Sequence, residues 1–228
     1  MIFKTQQNVA WLEFEKLSCF SFLKHAIFLR NTSSLNWESL PYFTHHSAKK
    51  AKQVHGHQVH LVHSSYLEQE GDGLMTELPY HALVMRHADC QATIFYDPVN
   101  HAVANVHAGW RGLTLNIYQE TIIQMKKTFA SNPSDLIVCI GPSLGPKYSE
   151  FVNYQTEFPS SFYPFQYKPF YFNLWAIAKD QLLKEGVREE NIEIAELCTY
   201  THSSYFFSYR RDKTMSRHDT IVSLLPRI

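Results

Sequence analysis

The chain carries no excess charge of either sign. Its 21 Lys and Arg equal its 21 Asp and Glu over 228 residues, so no net field recruits nucleic acid or an anionic membrane. Cysteine is scarce. Cys19, Cys90, Cys139 and Cys198 are scattered, with no CxxC pair. This argues against a disulfide framework and a structural zinc knuckle, and fits a reducing, intracellular setting. A cytoplasmic location is therefore expected. No apolar run reaches the length needed to span a bilayer. The start, Met1 to Asn8, has no basic flank leading into an apolar segment, so no secretory signal is expected. Repeats, low-complexity tracts and boundary-like linkers are also missing, which predicts a single domain over residues 1–228.

What the chain does have is a packable core and many imidazoles. Hydrophobic residues make up 45% and aromatics 14%, with 16 Phe and 13 Tyr, enough for a globular core. Histidine occurs 13 times, and it is the commonest metal ligand and the proton carrier nearest neutral pH.

Alternation and β-branched or aromatic runs predict short strands over 9–30, a strand over 53–63, and buried strands over 82–87 and 92–96. The segment 101–107 should pair with the strand over 92–96 through the turn Asp97-Pro98-Val99-Asn100. Further strands are expected over 136–140, 192–197, 205–209 and 220–225. Asn31-Thr32-Ser33-Ser34 reads as a loop, and Ala48 to Lys52 could close a short helix. Helical spacing predicts Leu113–Phe129, and Asn173 can cap a helix over Leu174–Lys184 that stops at Gly186. The aromatic, proline-rich stretch 151–172 gives no clear period. Strands outnumber helices and the two are mixed, so the fold class is α/β or α+β with substantial sheet.

The chemistry-bearing stretch is His81 to Cys90, continuing to His107-Ala108-Gly109-Trp110-Arg111-Gly112. Alone, a Cys at a strand end is more often core than reactive. Asp89 beside it changes the balance, because a carboxylate at the end of a buried strand is costly unless paired or functional. Gly109 and Gly112 permit a sharp strand-to-helix turn after His107, and the helix amino terminus there favours anions. His55 is a third candidate, whereas His57, His60 and His63 read as a solvated edge. Cys90 with His107 fits a thiolate–imidazolium nucleophile. With His55 added, the three fit an open metal site instead. Spacing alone does not choose. Arg210-Arg211 could fork a phosphate or carboxylate, Arg30 and Arg111 are further basic candidates, and Asp72 could shape a turn or orient a ligand His.

Seven strings occur in one order: Gln53-Val54-His55-Gly56, Gly71 to Thr76, Ala88-Asp89-Cys90, His107 to Gly112, Ile140-Gly141-Pro142, Cys198-Thr199 and Ser208 to Asp212. In these the chain resembles the YfiH family, once called multicopper polyphenol oxidase or laccase-domain proteins, over roughly residues 20–225. The resemblance implies an α/β fold of layered mixed sheets flanked by helices (α/β/β/α). It implies a zinc site at His55, Cys90 and His107, with copper as the other metal. On that reading Cys90, His107 and Asp89 are the expected catalytic residues, and Asp89 and Asp72 orient the ligands. It implies phosphorolysis of adenosine, inosine and methylthioadenosine and deamination of adenosine. On that reading Arg210 and Arg211, with Arg30 or Arg111, are expected to bind the phosphate. Purine nucleoside and phosphate are then the partners. Other readings are a cysteine-type amidohydrolase acting on a peptidoglycan precursor, a copper-dependent polyphenol oxidase, and a non-catalytic metal-stabilised protein. The chain departs from the pattern at Asn31-Thr32-Ser33, where the family has glycines, and at His87 for the usual Thr. It departs again at Ala92 for the usual Pro and at Met215-Ser216-Arg217 for Thr-Gly-Arg.

Overall fold

A computed structural model describes residues 1–30, 37, 40–43 and 45–227. In chain order its elements are β1 (Ile2–Gln6), β2 (Val9–Glu13), α1 (Glu15–Ser18), β3 (Leu23–Phe28), β4 (Ser47–Lys50), β5 (Val59–Leu61), β6 (Gly73–Thr76), β7 (His81–His87), β8 (Gln91–Asp97) and β9 (Ala102–Ala108). There follow α2 (Trp110–Thr114), α3 (Ile117–Phe129), β10 (Ile137–Ile140), α4 (Tyr154–Glu157), β11 (Gln166–Lys168), β12 (Tyr171–Phe172), α5 (Leu174–Lys184), β13 (Ile192–Ile194), α6 (Tyr209–Asp212) and β14 (His218–Leu224). Two six-stranded mixed sheets result, ordered β1-β2-β3-β14-β7-β4 and β13-β10-β8-β9-β6-β5.

Residue parity decides how the sheets stack, because successive side chains in a strand face opposite ways. Leu83 and Met85 of β7 meet Ile94 and Tyr96 of β8 and Val103 of β9 in a core between the sheets. The alternate residues Phe95, Ala104 and Val106 face α3 and α5, where Ile117, Met125, Ile177 and Leu182 cover them. The outer face of the first sheet buries Trp11, Phe28, Val84 and Ile221 against Trp37, Leu40 and Phe43. Each fully buried large apolar side chain contributes roughly 1.5–3 kcal/mol. Strands buried on both faces explain why β7, β8 and β9 read as near-continuous apolar runs. The expected mixed α/β fold with layered sheets is present. Among the described residues no helix is long and apolar enough to cross a membrane.

Several local expectations change. Ala48 to Lys50 is not helical; it lies in β4, paired in parallel with β7. Only Val59–Leu61 of the expected 53–63 strand forms, and His55 lies in a loop at φ 61. The single helix expected over 113–129 is two, α2 and α3, separated where Asn116 takes φ 56. The 205–209 strand is replaced by a turn and α6, because the Ser208 side chain accepts from Arg211 N and caps a helix there. Asn173 does cap α5, accepting from Ala176 N. The Asn31 to Ser34 loop lies outside the described residues.

Candidate metal centre

Cys90 and His107 arrive on neighbouring strands. In the β8–β9 ladder Ala92 stands opposite His107. Cys90 precedes β8 by one residue and shares parity with Ala92, so both side chains face the space between the sheets. His55 comes from the loop after β4. The ligand atoms of His55, Cys90 and His107 all lie within 4.8 Å of one another. One thiolate and two imidazoles would supply three ligands to a metal ion and leave a further position for water or substrate. These residues fit a zinc ion, and their soft sulfur also suits copper.

Asp72 holds the two histidines. It has 0% exposure, and each carboxylate oxygen accepts two hydrogen bonds. Oδ1 accepts from His55 N (3.0 Å) and His107 Nδ1 (2.8 Å); Oδ2 accepts from Val54 N (3.1 Å) and Gly56 N (2.6 Å). Burial works against this carboxylate, but His107 and the backbone donors outweigh it and hold its pKa below the usual range. A carboxylate only accepts, so His107 carries its hydrogen on Nδ1 and keeps Nε2 for the centre. The three N–H groups also stabilise the left-handed φ at His55, which is uncommon for a residue other than Gly. Gln53 clamps the same loop from its other side. It donates to Arg86 O (2.8 Å) and accepts from Arg86 N (2.9 Å).

Asp89 also has a left-handed backbone, at φ 77. Its carboxylate accepts from Thr199 Oγ1 and from Arg210 N, both at 2.6 Å, and its carbonyl accepts from Leu144 N. Asp89 therefore ties the crossing between β7 and β8 to the segments that carry Thr199 and Arg210. Gly109 completes the cradle. A Cβ on it would lie 3.1 Å from Cys90 Sγ and 3.2 Å from His55 Cδ2. Its φ of −76 and ψ of 175 suit alanine equally well. Gly109→Ala is therefore expected to weaken metal binding about tenfold while shifting thermal unfolding little; a metal titration and a melt read the two separately.

The thiol and the imidazole polarise each other. Burial disfavours the Cys90 thiolate, but His107 and His55 outweigh it, and its pKa falls to about 6. Burial likewise disfavours the His107 cation, but Cys90 and Asp72 raise its pKa to about 9. The His107 shift adds stability below pH ~6.5 that is lost as pH rises through 9, while the Cys90 shift adds stability above pH ~8.5 that is lost as pH falls through 6. The two offset, so chelator-treated protein should show denaturant midpoints nearly flat between about pH 6.5 and 8.5. Metal binding must displace the second His107 proton. Its affinity should therefore rise about tenfold per pH unit from about 6 towards about 9.

A cavity of about 1030 Å³ opens over the centre. Arg111 and Arg210 line it. Arg111 lies over the Trp110 ring at 4.1 Å, and Arg210 donates to Glu150 O. The other two expected phosphate contacts are not in its lining. Arg211 donates to Thr199 O, Tyr200 O, Phe206 O and Asp212, and Arg30 donates to Ser203 O beside Phe207. Both brace the wall formed by 199–212. His87 also lines the cavity, and its Nε2 bonds to Thr220 Oγ1. Gln53 and Thr199 stood in the diagnostic strings without an assigned role. Their partners lie 33 and 110 positions away, beyond the reach of any local pattern.

The chain matches the family model described as multi-copper polyphenol oxidoreductase laccase over residues 31–224. It is 34% identical over 149 residues to a purine nucleoside phosphorylase of Bacteroides thetaiotaomicron, covering 61% of this chain but only 55% of that protein. It is 31% identical over 183 residues to the purine nucleoside phosphorylase YfiH of Escherichia coli, covering 76% and 72%. Two solved structures share the fold. They are YlmD from Geobacillus stearothermophilus (TM-score 0.85, 21% identity, 99% of both chains) and the hypothetical protein YfiH of Bacillus licheniformis (TM-score 0.79, 23% identity, 97% and 98%). With the family model matched over residues 31–224 and the Escherichia coli protein matched over most of both chains, this chain belongs to the YfiH family of laccase-like proteins.

Proposed function

We propose that the protein is a metal-dependent purine nucleoside enzyme that cleaves adenosine, inosine and methylthioadenosine with phosphate, and deaminates adenosine, at the His55–Cys90–His107 centre. The observation that carries this reading is the convergence of three metal-binding side chains within 4.8 Å of one another at the wall of a cavity that also presents Arg111 and Arg210. The names of the Bacteroides and Escherichia relatives support the substrate class. A Cys–His nucleophile would leave His55 without a task, and the Asp72 grip on both histidines favours a three-ligand site over a dyad.

A zinc or copper ion held by His55, Cys90 and His107 would supply Lewis acidity at its open position. The protein does the rest by placement. Arg111 and Arg210 are suited to clamp the phosphate with guanidinium donors. Trp110 and Phe151, both in the cavity lining, offer apolar faces to a purine. Asp72 keeps the His107 proton on Nδ1, and Asp89 fixes the backbone entering Cys90 and leaving Ser208.

Adenosine with phosphate should yield adenine and ribose 1-phosphate, and adenosine alone should yield inosine and ammonia. Both activities should vanish with chelator and return with zinc or copper. Metal-loaded protein that forms none of these products would overturn the reading. Hydrolysis of an amide substrate by metal-free protein, with an acyl group trapped on Cys90, would replace it with the amidohydrolase.

A further inference from the structure

The cavity is larger and more basic than a free nucleoside and one phosphate require. Its volume of about 1030 Å³ reaches the upper end of the roughly 300–1,000 Å³ range of small-molecule sites. Seven Lys and Arg line it against three Asp and Glu, in a chain whose totals balance at 21 and 21. One inorganic phosphate brings about 1.5 to 2 negative charges, which Arg111 and Arg210 can meet. Lys52 is paired with Glu70 at 2.7 Å. Lys50, Arg86, Lys213 and Arg217 remain, with Asp219 as the carboxylate beside the first two.

These four line the same cavity from elements that supply no metal ligand. On the first sheet Arg86 stands opposite Asp219, and Lys50 stands opposite Val84 two residues before Arg86, so all share one face. Arg86 Nε lies 3.7 Å from Asp219 Oδ1, and the Lys50 ammonium acts on the same carboxylate. Lys213 and Arg217 flank the Tyr209 ring at 5.2 and 5.8 Å. Tyr209 is 48% exposed and Met215 is 78% exposed, and both line the cavity. Asp219 thus faces Arg86 and Lys50, while Lys213 and Arg217 flank an aromatic ring beside a thioether left open to solvent.

We propose that Lys50, Arg86, Lys213 and Arg217 form a second anion subsite in the cavity, so that the preferred substrate is a purine nucleoside bearing an anionic group such as a 5′-phosphate ester. The identity of the base and sugar rests on the proposed function; the second anion rests on the charge arrangement alone.

The test is calorimetric titration of the metal-loaded full chain with adenosine and with adenosine 5′-monophosphate, in saturating inorganic phosphate. The nucleotide should bind at least about tenfold tighter, since several weak ion pairs act together, and the advantage should shrink as salt is raised. Joint replacement Lys50→Ala and Lys213→Ala, at two exposed positions, should remove most of that advantage and change adenosine affinity less than about twofold. Arg217→Ala should act in the same direction. Equal affinity for the two ligands, or variants that weaken both alike, would overturn the subsite. Base release is followed in the same samples. Tight nucleotide binding without base release would sink phosphorolysis and leave the subsite standing, while base release without a nucleotide preference would do the reverse. Binding of neither ligand would overturn both.

Discussion

Replacing Asp72 by alanine is expected to cost the chain about 3–5 kcal/mol of stability, the loss typical when one partner of a buried charged network is removed, and to weaken metal binding by about 10–100-fold. Four donors converge on this one carboxylate, two on each oxygen. Without it the His55 loop loses the contacts that hold its left-handed backbone, and His107 loses the acceptor that fixes its tautomer. Asp72→Asn is the sharper variant. An amide keeps only one oxygen, so its NH2 must face two of the four donors. Metal affinity should stay well below that of the wild type even though shape is conserved. The depressed pKa of Asp72 gives the sign with acid: its stabilising contribution is present above pH ~4 and is lost as pH falls through the folded value. Urea unfolding and zinc titration of both variants measure the effects. An Asn variant that matches the wild type in both would refute the role given to Asp72.

Cys90→Ala should abolish stoichiometric metal binding and lower any metal-dependent activity by at least about 10³-fold, because two imidazoles alone hold zinc poorly. The fold should survive, since Cys90 stands one residue before β8 and is only partly buried. Metal at a hundred times its Kd stabilises the wild type by about 2.7 kcal/mol, and this increment should be missing in the variant. Cys139 supplies the internal control. It is fully buried between the sheets, and burial pushes its thiol pKa well up. Cys139→Ala should therefore cost stability through the cavity it leaves, while metal binding and activity persist in the folded protein. The two cysteines thus separate core packing from site chemistry, measured by melts and metal titration of the pair.

Much of the candidate site was legible because its residues sit where apolar runs stop. β7, β8 and β9 are buried on both faces, so their runs stand out, and Cys90 and His107 lie at or beside their ends. The β8–β9 turn was equally plain, because Asp97 accepts from Val99 N and Asn100 N to close it. The stretch around His55 misled for the opposite reason. Val54, Gln58, His60 and Val62 mimic a period of two, yet residues 54–56 are captured by a carboxylate 16 to 18 positions away. The break between α2 and α3 is hidden because apolar spacing continues across Asn116. The start of α6 is hidden because Ser208 follows an aromatic pair that resembles a strand. The assignment of strands to two sheets was not readable at all. Parity tells which residues share a face, but not which of two buried faces meets the other sheet.

The central claim is that His55, Cys90 and His107 hold one metal ion together. X-ray absorption on the zinc-loaded full chain tests it most directly. The account predicts one zinc per chain, with one sulfur at about 2.3 Å and two imidazole nitrogens at about 2.0–2.1 Å, the sulfur shell disappearing in Cys90→Ala. A zinc shell without sulfur, or full zinc binding that survives Cys90→Ala, would contradict it.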